Sequence, residues 1–343
     1  MITYNGNIVT CPSGAWILAD PYNPLGLPAY TIRLRYTDGV TPTFAKGTGV
    51  QVSASPNVWD LTYTDTNWFR MCGFHRDLIE VLGANATGVT NMSEVFLNCS
   101  NLESVALFDT RSVNDMSFMF SGCIPLTAVP LFDTSSVTNM SEMFQTCHSL
   151  QSVPLFDTSS VTDMSGMFSG CNVTTVPLFD TSSVTNMVNM FYASLITTVP
   201  LFDTSSVTNM RGMFNGCVFL TSVPLFDTSS VTNMRMMFHG CPSLTEVPLL
   251  DTSSVTDMSF MFDACRQLTS VPLLDTSSAT DMSCMFSGCT NVQSGALDLY
   301  TQASSQTTPP ASHTNTFSNC GRDTTTGAAE LAQIPASWGG TAP

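Results

Sequence analysis

From about residue 86 to residue 295 the chain repeats itself. A Met-x-x-x-Phe-x-x-Cys core opens at Met92, Met116, Met140, Met164, Met187, Met210, Met234, Met258 and Met282, and only the copy at Met187 departs from it, with Ser194 in the cysteine place. The spacing is 24 residues, with two steps of 23 after Met164 and Met187. A fixed period in this range is the signature of a solenoid. One such unit has too little core to be stable alone. Stacked units bury like residues in continuous columns, each coil touching only its neighbours. The columns predicted to face inward are Val113, Val137 and Val161; Phe120, Phe144 and Phe168 with Met119, Met143 and Met167; Leu126, Leu150 and Leu220; and Val129, Val153 and Val176 with Leu131, Leu155 and Leu178. At about 4.8 Å per rung, nine coils would rise roughly 45 Å.

Within a unit, Leu-Thr-x-Val-Pro-Leu alternates as a short parallel strand should, and its proline (Pro130, Pro154, Pro177) sits where a missing N–H is tolerated. Ser-Ser-Val-Thr-Asn-Met is a candidate second strand. Met-Ser-x-Met-Phe-x-Gly-Cys reads as a helical turn closed by Gly122, Gly170, Gly216, Gly240 and Gly288. The expected fold is mainly β: a leucine-rich-repeat-like solenoid of about nine coils of 23–24 residues, with an N-terminal β domain and a C-terminal cap.

The unit Asp-Thr-Ser-Ser-Val-Thr-Asn-Met-Ser-x-Met-Phe-x-Gly-Cys-x-x-Leu closely resembles the BspA-like leucine-rich repeat. That family occurs in surface proteins of host-associated bacteria and in proteins of their phages. The resemblance implies a solenoid for adhesion or recognition, here a phage-encoded one, and it implies no catalytic residues.

Three parts are expected: residues 1–70 as a β domain for docking or capping, 71–295 as the solenoid, and 296–343 as a capping segment. The first holds Trp16, Trp59 and Trp68. Tyr30–Tyr36 alternates with Ile32, Leu34 and Tyr36 on one face, and Thr37-Asp38-Gly39 supplies a turn. Val50–Val52 and Trp59–Tyr63 read as further strands, and Asn67–Ala84 as the join to the first coil. Beyond 295, Thr301–Thr316 reads as a loop or linker, Ala328–Ile334 as a short helix, and Trp338 as a lid on the last coil.

Charge excludes several functions. The formal net charge is −16 and Lys46 is the one lysine, so neither nucleic acid nor an anionic membrane surface is an expected partner. No apolar run is long enough to span a membrane. The start, Met-Ile-Thr-Tyr-Asn-Gly-Asn, is not that of a signal peptide, which favours a protein kept in the cell or carried out in a virion. The cysteine column (Cys99, Cys123, Cys147, Cys171, Cys217, Cys241, Cys265, Cys289) is a line, whereas zinc needs ligands converging on a point. Parallel side chains also lack bridging geometry, so these are read as buried free thiols. Cys11, Cys72, Cys284 and Cys320 lie off that column. The aspartate column from Asp109 to Asp275 is read as turn-capping, ahead of a calcium ladder. The Asn/Asp column before the first methionine is read as a structural ladder. No cofactor, metal centre or catalytic constellation is expected.

The positions the period leaves open are the informative ones. Phe118, Tyr192, Arg211, Phe219, Arg235, His239, Phe260 and Arg266 occupy them, and aromatics and arginine are the types that anchor interfaces. They define a candidate recognition face. The expected function is a phage tail or head-fibre protein that binds a bacterial surface glycan or protein, docked to other virion proteins through its N-terminal domain. A bacterial surface or secreted adhesin is the alternative, and a polysaccharide depolymerase a third reading. Assembly into a homo-oligomer is compatible with each.

Overall fold

The computed structural model describes the side chains of residues 23, 25–44, 47–68, 70 and 72–342. It also describes the backbone of β1 (Thr3–Asn5), β2 (Ile8–Thr10) and β3 (Trp16–Leu18), a small antiparallel sheet. Cys11, Lys46 and the side chain of Trp16 lie outside the described residues. The chain divides into two compact units, Met1–Thr138 with Cys147–Asp157, and Asn139–Thr146 with Thr158–Pro343.

In the first unit the alternating segment forms β4 (Thr31–Tyr36), with Ile32, Leu34 and Tyr36 at most 1% exposed. It lies between β6 (Asn57–Thr62) and β7 (Leu78–Asn85), antiparallel to both. β5 (Thr48–Ala54) pairs with β6 on one edge and β8 (Ser104–Val105) with β7 on the other. The β7–β8 pairing is parallel, and there the sheet continues into the first repeat. Two of its strands thus lie past residue 70. The unit's coils begin at Asn67, which bridges to Asn91, and Asn91 bridges in turn to Asp115.

In the second unit the bridges run Asn139, Asp163, Asn186, Asn209, Asn233, Asp257, Asp281 and Ser312, each to the next. Each coil turns through this corner in one way, shown by Asn233–Cys241. The amides of Met234, Met236, Phe238 and Gly240 donate to carbonyls of the following coil at 2.8–3.0 Å. Those of Met237, His239 and Cys241 donate within the coil, three residues back. Met236 and Gly240 have φ of 57° and 65°, as the third residue of a type II turn requires. The expected helical turn is therefore a run of tight turns, with half its amides tying one rung to the next.

The core follows the predicted columns in part. Phe168, Phe191, Phe214, Phe238, Phe262, Phe286 and Phe317 stack with centroids 4.9–6.1 Å apart and planes within 12° of parallel. Met187, Met210 and Met234, with Met190, Met213 and Met237, are fully buried beside them. The expected interior leucines are a different matter: Leu131, Leu155 and Leu178 are 60–61% exposed, and the next residue in each coil, Phe132, Phe156 or Phe179, is buried instead. The cause is local. The amide of Phe132 donates to the carbonyl of Pro130 at 2.9 Å, and Phe156 and Phe179 repeat this, so the chain tightens after proline and the alternation slips by one residue. The same proline removes an amide, and among the described residues the expected parallel strands are reduced to β8 and the bridge Ser270–Ser294. The other candidate strand contributes one bridging residue per coil.

At the far end the structure also departs from the expected loop. Thr301 and its neighbours belong to helix α1 (Ala296–Ser304), and Ser312–Cys320 forms a further rung on Asp281–Cys289. Cys320 thereby continues the cysteine column. Helix α2 (Thr325–Leu331) is capped by Thr324, whose Oγ1 accepts from the Gly327 amide at 3.0 Å. Trp338 stacks on His313 at 4.2 Å and on Phe317 at 6.5 Å.

Candidate functional site

The thiols and aspartates are absorbed by the fold. From Cys123 to Cys289 the column thiols donate to the carbonyl of the phenylalanine one coil back, as from Cys241 to Phe214 and from Cys265 to Phe238 at 3.0 Å, and Cys99 donates to the carbonyl of Cys72. In Asp133, Asp180, Asp203, Asp227 and Asp251 the Oδ1 accepts from the amide and hydroxyl of the serine two residues on, at 3.1 and 2.7 Å for Asp227 and Ser229. These bonds hold Asp203, Asp227 and Asp251 below the usual carboxylate range. The intervening threonine ties the rungs, with Thr228 Oγ1 2.7 Å from the carbonyl oxygen of Asp251. Among the described residues no group of three or more His, Cys, Asp or Glu is placed to hold a metal ion, and no helix is long and apolar enough to cross a membrane.

Phe118, Tyr192, Arg211, Arg235, His239 and Phe260 lie on the run of tight turns, and Phe219 and Arg266 just past the cysteine that ends it. Phe118 belongs to the first unit, half-buried, at φ 55°. The other seven belong to the second. Phe260, at φ 58°, is the centre of a cluster. The Arg235 guanidinium lies over its ring, 5.2 Å from the centroid, and donates to Ser259 Oγ at 2.7 Å. His239 meets the same ring edge-on at 6.5 Å, and its Nδ1 is 3.1 Å from Asp263 Oδ2. Arg211 stands one rung from Arg235, since the Gly212 amide donates to the Arg235 carbonyl. Tyr192 is 44% and Phe219 54% exposed. Arg266 lines a hollow of about 350 Å³ with Arg322, Asn319 and Asp323.

Thus Arg235 and His239 both meet the Phe260 ring. The sequence reading missed Asp263, although it follows His239 at the repeat spacing in the same column. It also missed a hollow of about 220 Å³ lined by Glu142, Ser165, Gly166, Asn186 and Asn189. Gly166 opens it, for a Cβ there would meet the Glu142 side chain, and burial raises the Glu142 carboxyl above its ordinary range. In the first unit, Tyr36, Phe74, His75 and Arg76 line a hollow of about 290 Å³.

Stacked coils with a recurring core and a varied run of turns define a leucine-rich-repeat-type solenoid. The chain belongs to the family described as "Mycoplasma protein of unknown function, DUF285", whose model matches residues 69–175, 125–200, 171–268 and 194–300. That family is of the BspA-like type. Among solved structures, a leucine-rich repeat protein from Eubacterium ventriosum is similar at 14% identity and a TM-score of 0.33, over 64% of this chain and 76% of that one. A leucine rich cell surface protein from Faecalibacterium prausnitzii is similar at 19% identity and a TM-score of 0.35, over 69% and 78% respectively. No curated protein matches the chain.

Proposed function

We propose that this chain is an adhesin-type recognition module that binds rather than catalyses, and that it reads its target with the run of turns in the second unit. One observation carries the reading. On a scaffold whose core and polar corners recur coil after coil, the positions that differ hold arginine, histidine and aromatics, and Arg235, His239 and Phe260 converge with Asp263 into one amphipathic patch. Such patches favour a ligand with both a stackable apolar face and polar groups, which suits a surface glycan or a protein loop. We place the module on a bacterial surface ahead of a virion, because the matching family is described from a bacterium. The N-terminal sheet is then its attachment to a larger assembly.

The test is binding of the labelled chain to a glycan array and to intact bacterial and host cells. Wild type is expected to bind a defined subset. The triple variant Arg235→Ala, His239→Ala, Phe260→Ala is expected to lose that subset, and so is the triple variant Tyr192→Ala, Phe219→Ala, Arg266→Ala, each keeping its melting temperature within a few degrees. Retention by both variants would discard the turn face, and glycan cleavage by the wild type would replace adhesion with depolymerisation.

A further inference from the structure

Each coil of the second unit carries a second outward column that the recognition reading leaves unused. Leu178, Leu201, Leu225, Leu249 and Leu273 are 55–63% exposed. The rungs beside them are locked in register, because Thr181, Thr204, Thr228 and Thr252 each bond the Asp carbonyl of the next coil at 2.7 Å. The leucines therefore form a row. A lone exposed leucine is ordinary, but a contiguous apolar strip marks an interaction site.

The repeats serve as an alignment of the chain with itself. The buried residue after each leucine drifts, from Phe179, Phe202 and Phe226 to Leu250 and Leu274. The exposed leucine does not. The other outward residues that recur have polar tasks inside the fold, the aspartates and serines in turns and the threonines between rungs. The leucine has none, and packing does not require an apolar group where most of the side chain meets water.

The surroundings of the row say what would cover it. Leucine and aspartate flank an inward residue, so Asp203, Asp227, Asp251 and Asp275 stand exposed along one side. On the other side a hollow of about 290 Å³ is lined by Val223, Val247, Pro248 and Glu246. The unit's arginines, Arg211, Arg235, Arg266 and Arg322, all lie in other columns. The strip is apolar along its centre and acidic along the aspartate flank, with Glu246 the one carboxylate on the other side.

We propose that the leucine row docks a basic amphipathic segment of another protein, with its apolar face on Leu201, Leu225 and Leu249 and its lysines or arginines toward Asp203, Asp227, Asp251 and Glu246. A helix laid along the row repeats about every 5.4 Å against rungs about 4.8 Å apart, close enough for several turns to seat. A second copy of this chain would bring a second acidic flank and is disfavoured by charge.

The test uses the full chain and two labelled amphipathic peptides of about 18 residues, ~27 Å as helices, one built from leucine and lysine and the other from leucine and glutamate. Fluorescence anisotropy is expected to show binding of the first and not the second, weakening as salt rises. Two variants separate the causes. Leu201→Ser, Leu225→Ser, Leu249→Ser keeps the net charge and is expected to abolish binding. Asp203→Asn, Asp227→Asn, Asp251→Asn keeps the turn acceptors and is expected to weaken binding about tenfold. The turn-face triple is expected to bind the peptide as wild type does. Undiminished binding by the leucine variant would overturn the proposal, as would equal binding of both peptides. A concentration-dependent dimer that the leucine variant abolishes would assign the row to self-association instead.

Discussion

The Arg235 guanidinium lies 5.2 Å from the centre of the Phe260 ring, one coil away, and is held there by its bond to Ser259 Oγ. A cation over an aromatic face at a half-exposed site contributes about 0.5–1 kcal/mol. A double-mutant cycle over Arg235→Ala and Phe260→Ala, read by chemical denaturation, is expected to give a coupling energy in that range. A coupling near zero would remove the ion–ring contact from the account of the patch.

Two glycines separate backbone strain from crowding. Gly240 has φ 65°, and a Cβ there would stand at an unstrained 3.8 Å from the Gly216 backbone, so Gly240→Ala should cost about 1–2 kcal/mol from the left-handed conformation alone. Gly295, at φ 94°, would in addition press a Cβ into the carbonyl of Val271. Gly295→Ala is expected to cost more than Gly240→Ala, and paired denaturation curves check the order.

Phe214 is stacked between Phe191 at 5.7 Å and Phe238 at 5.6 Å. Phe214→Ala should cost about 3–5 kcal/mol, as large-to-small changes in cores do. Because each coil contacts only its neighbours, the loss is local, and one unfolding transition is expected to become two. Calorimetry shows which.

The buried thiols set a pH limit. Burial pushes Cys217, Cys265 and Cys320 up to about 12, from an ordinary value of 9, and it pushes Cys241 and Cys289 well above 9. The unfolded chain loses these protons near pH 9 while the folded chain keeps them. Their contribution is therefore complete below about pH 9 and is lost as pH rises from there toward 12. Denaturation midpoints should be flat from pH 7 to about 8.5 and fall steeply by about pH 10.5. Replacing Cys217 and Cys265 by alanine should make the fall shallower.

Much of the solenoid was legible because its columns recur at one spacing, so Phe120, Phe144 and Phe168 can be assigned inward by comparing coils. What spacing cannot show is the direction a side chain takes after a tight turn. With the bond from Phe132 to Pro130, Leu131, expected inward, faces solvent and Phe132 takes the interior place. Ser312–Cys320 was hidden for another reason: α1 and the segment after it lengthen the last interval, so the rung falls off the period. Asn67 was hidden by its neighbours, since Trp68 and Cys72 replace the methionine and phenylalanine that mark the other coils. Within the proposed recognition face, the columns made Arg211 and Arg235 neighbours, but the meeting of Arg235 and His239 with Phe260 depends on side-chain direction and needed the structure.

Half of the amides in the run of turns are satisfied only by the following coil, and every coil presents the same carbonyls to the one before. The bonds that join coils thus do not depend on which coil is joined. A unit duplicated or deleted in the gene meets acceptors identical to those it replaces, so such a protein can change its reach, and the order in which its surface residues are displayed, in one genetic event without redesigning its interior.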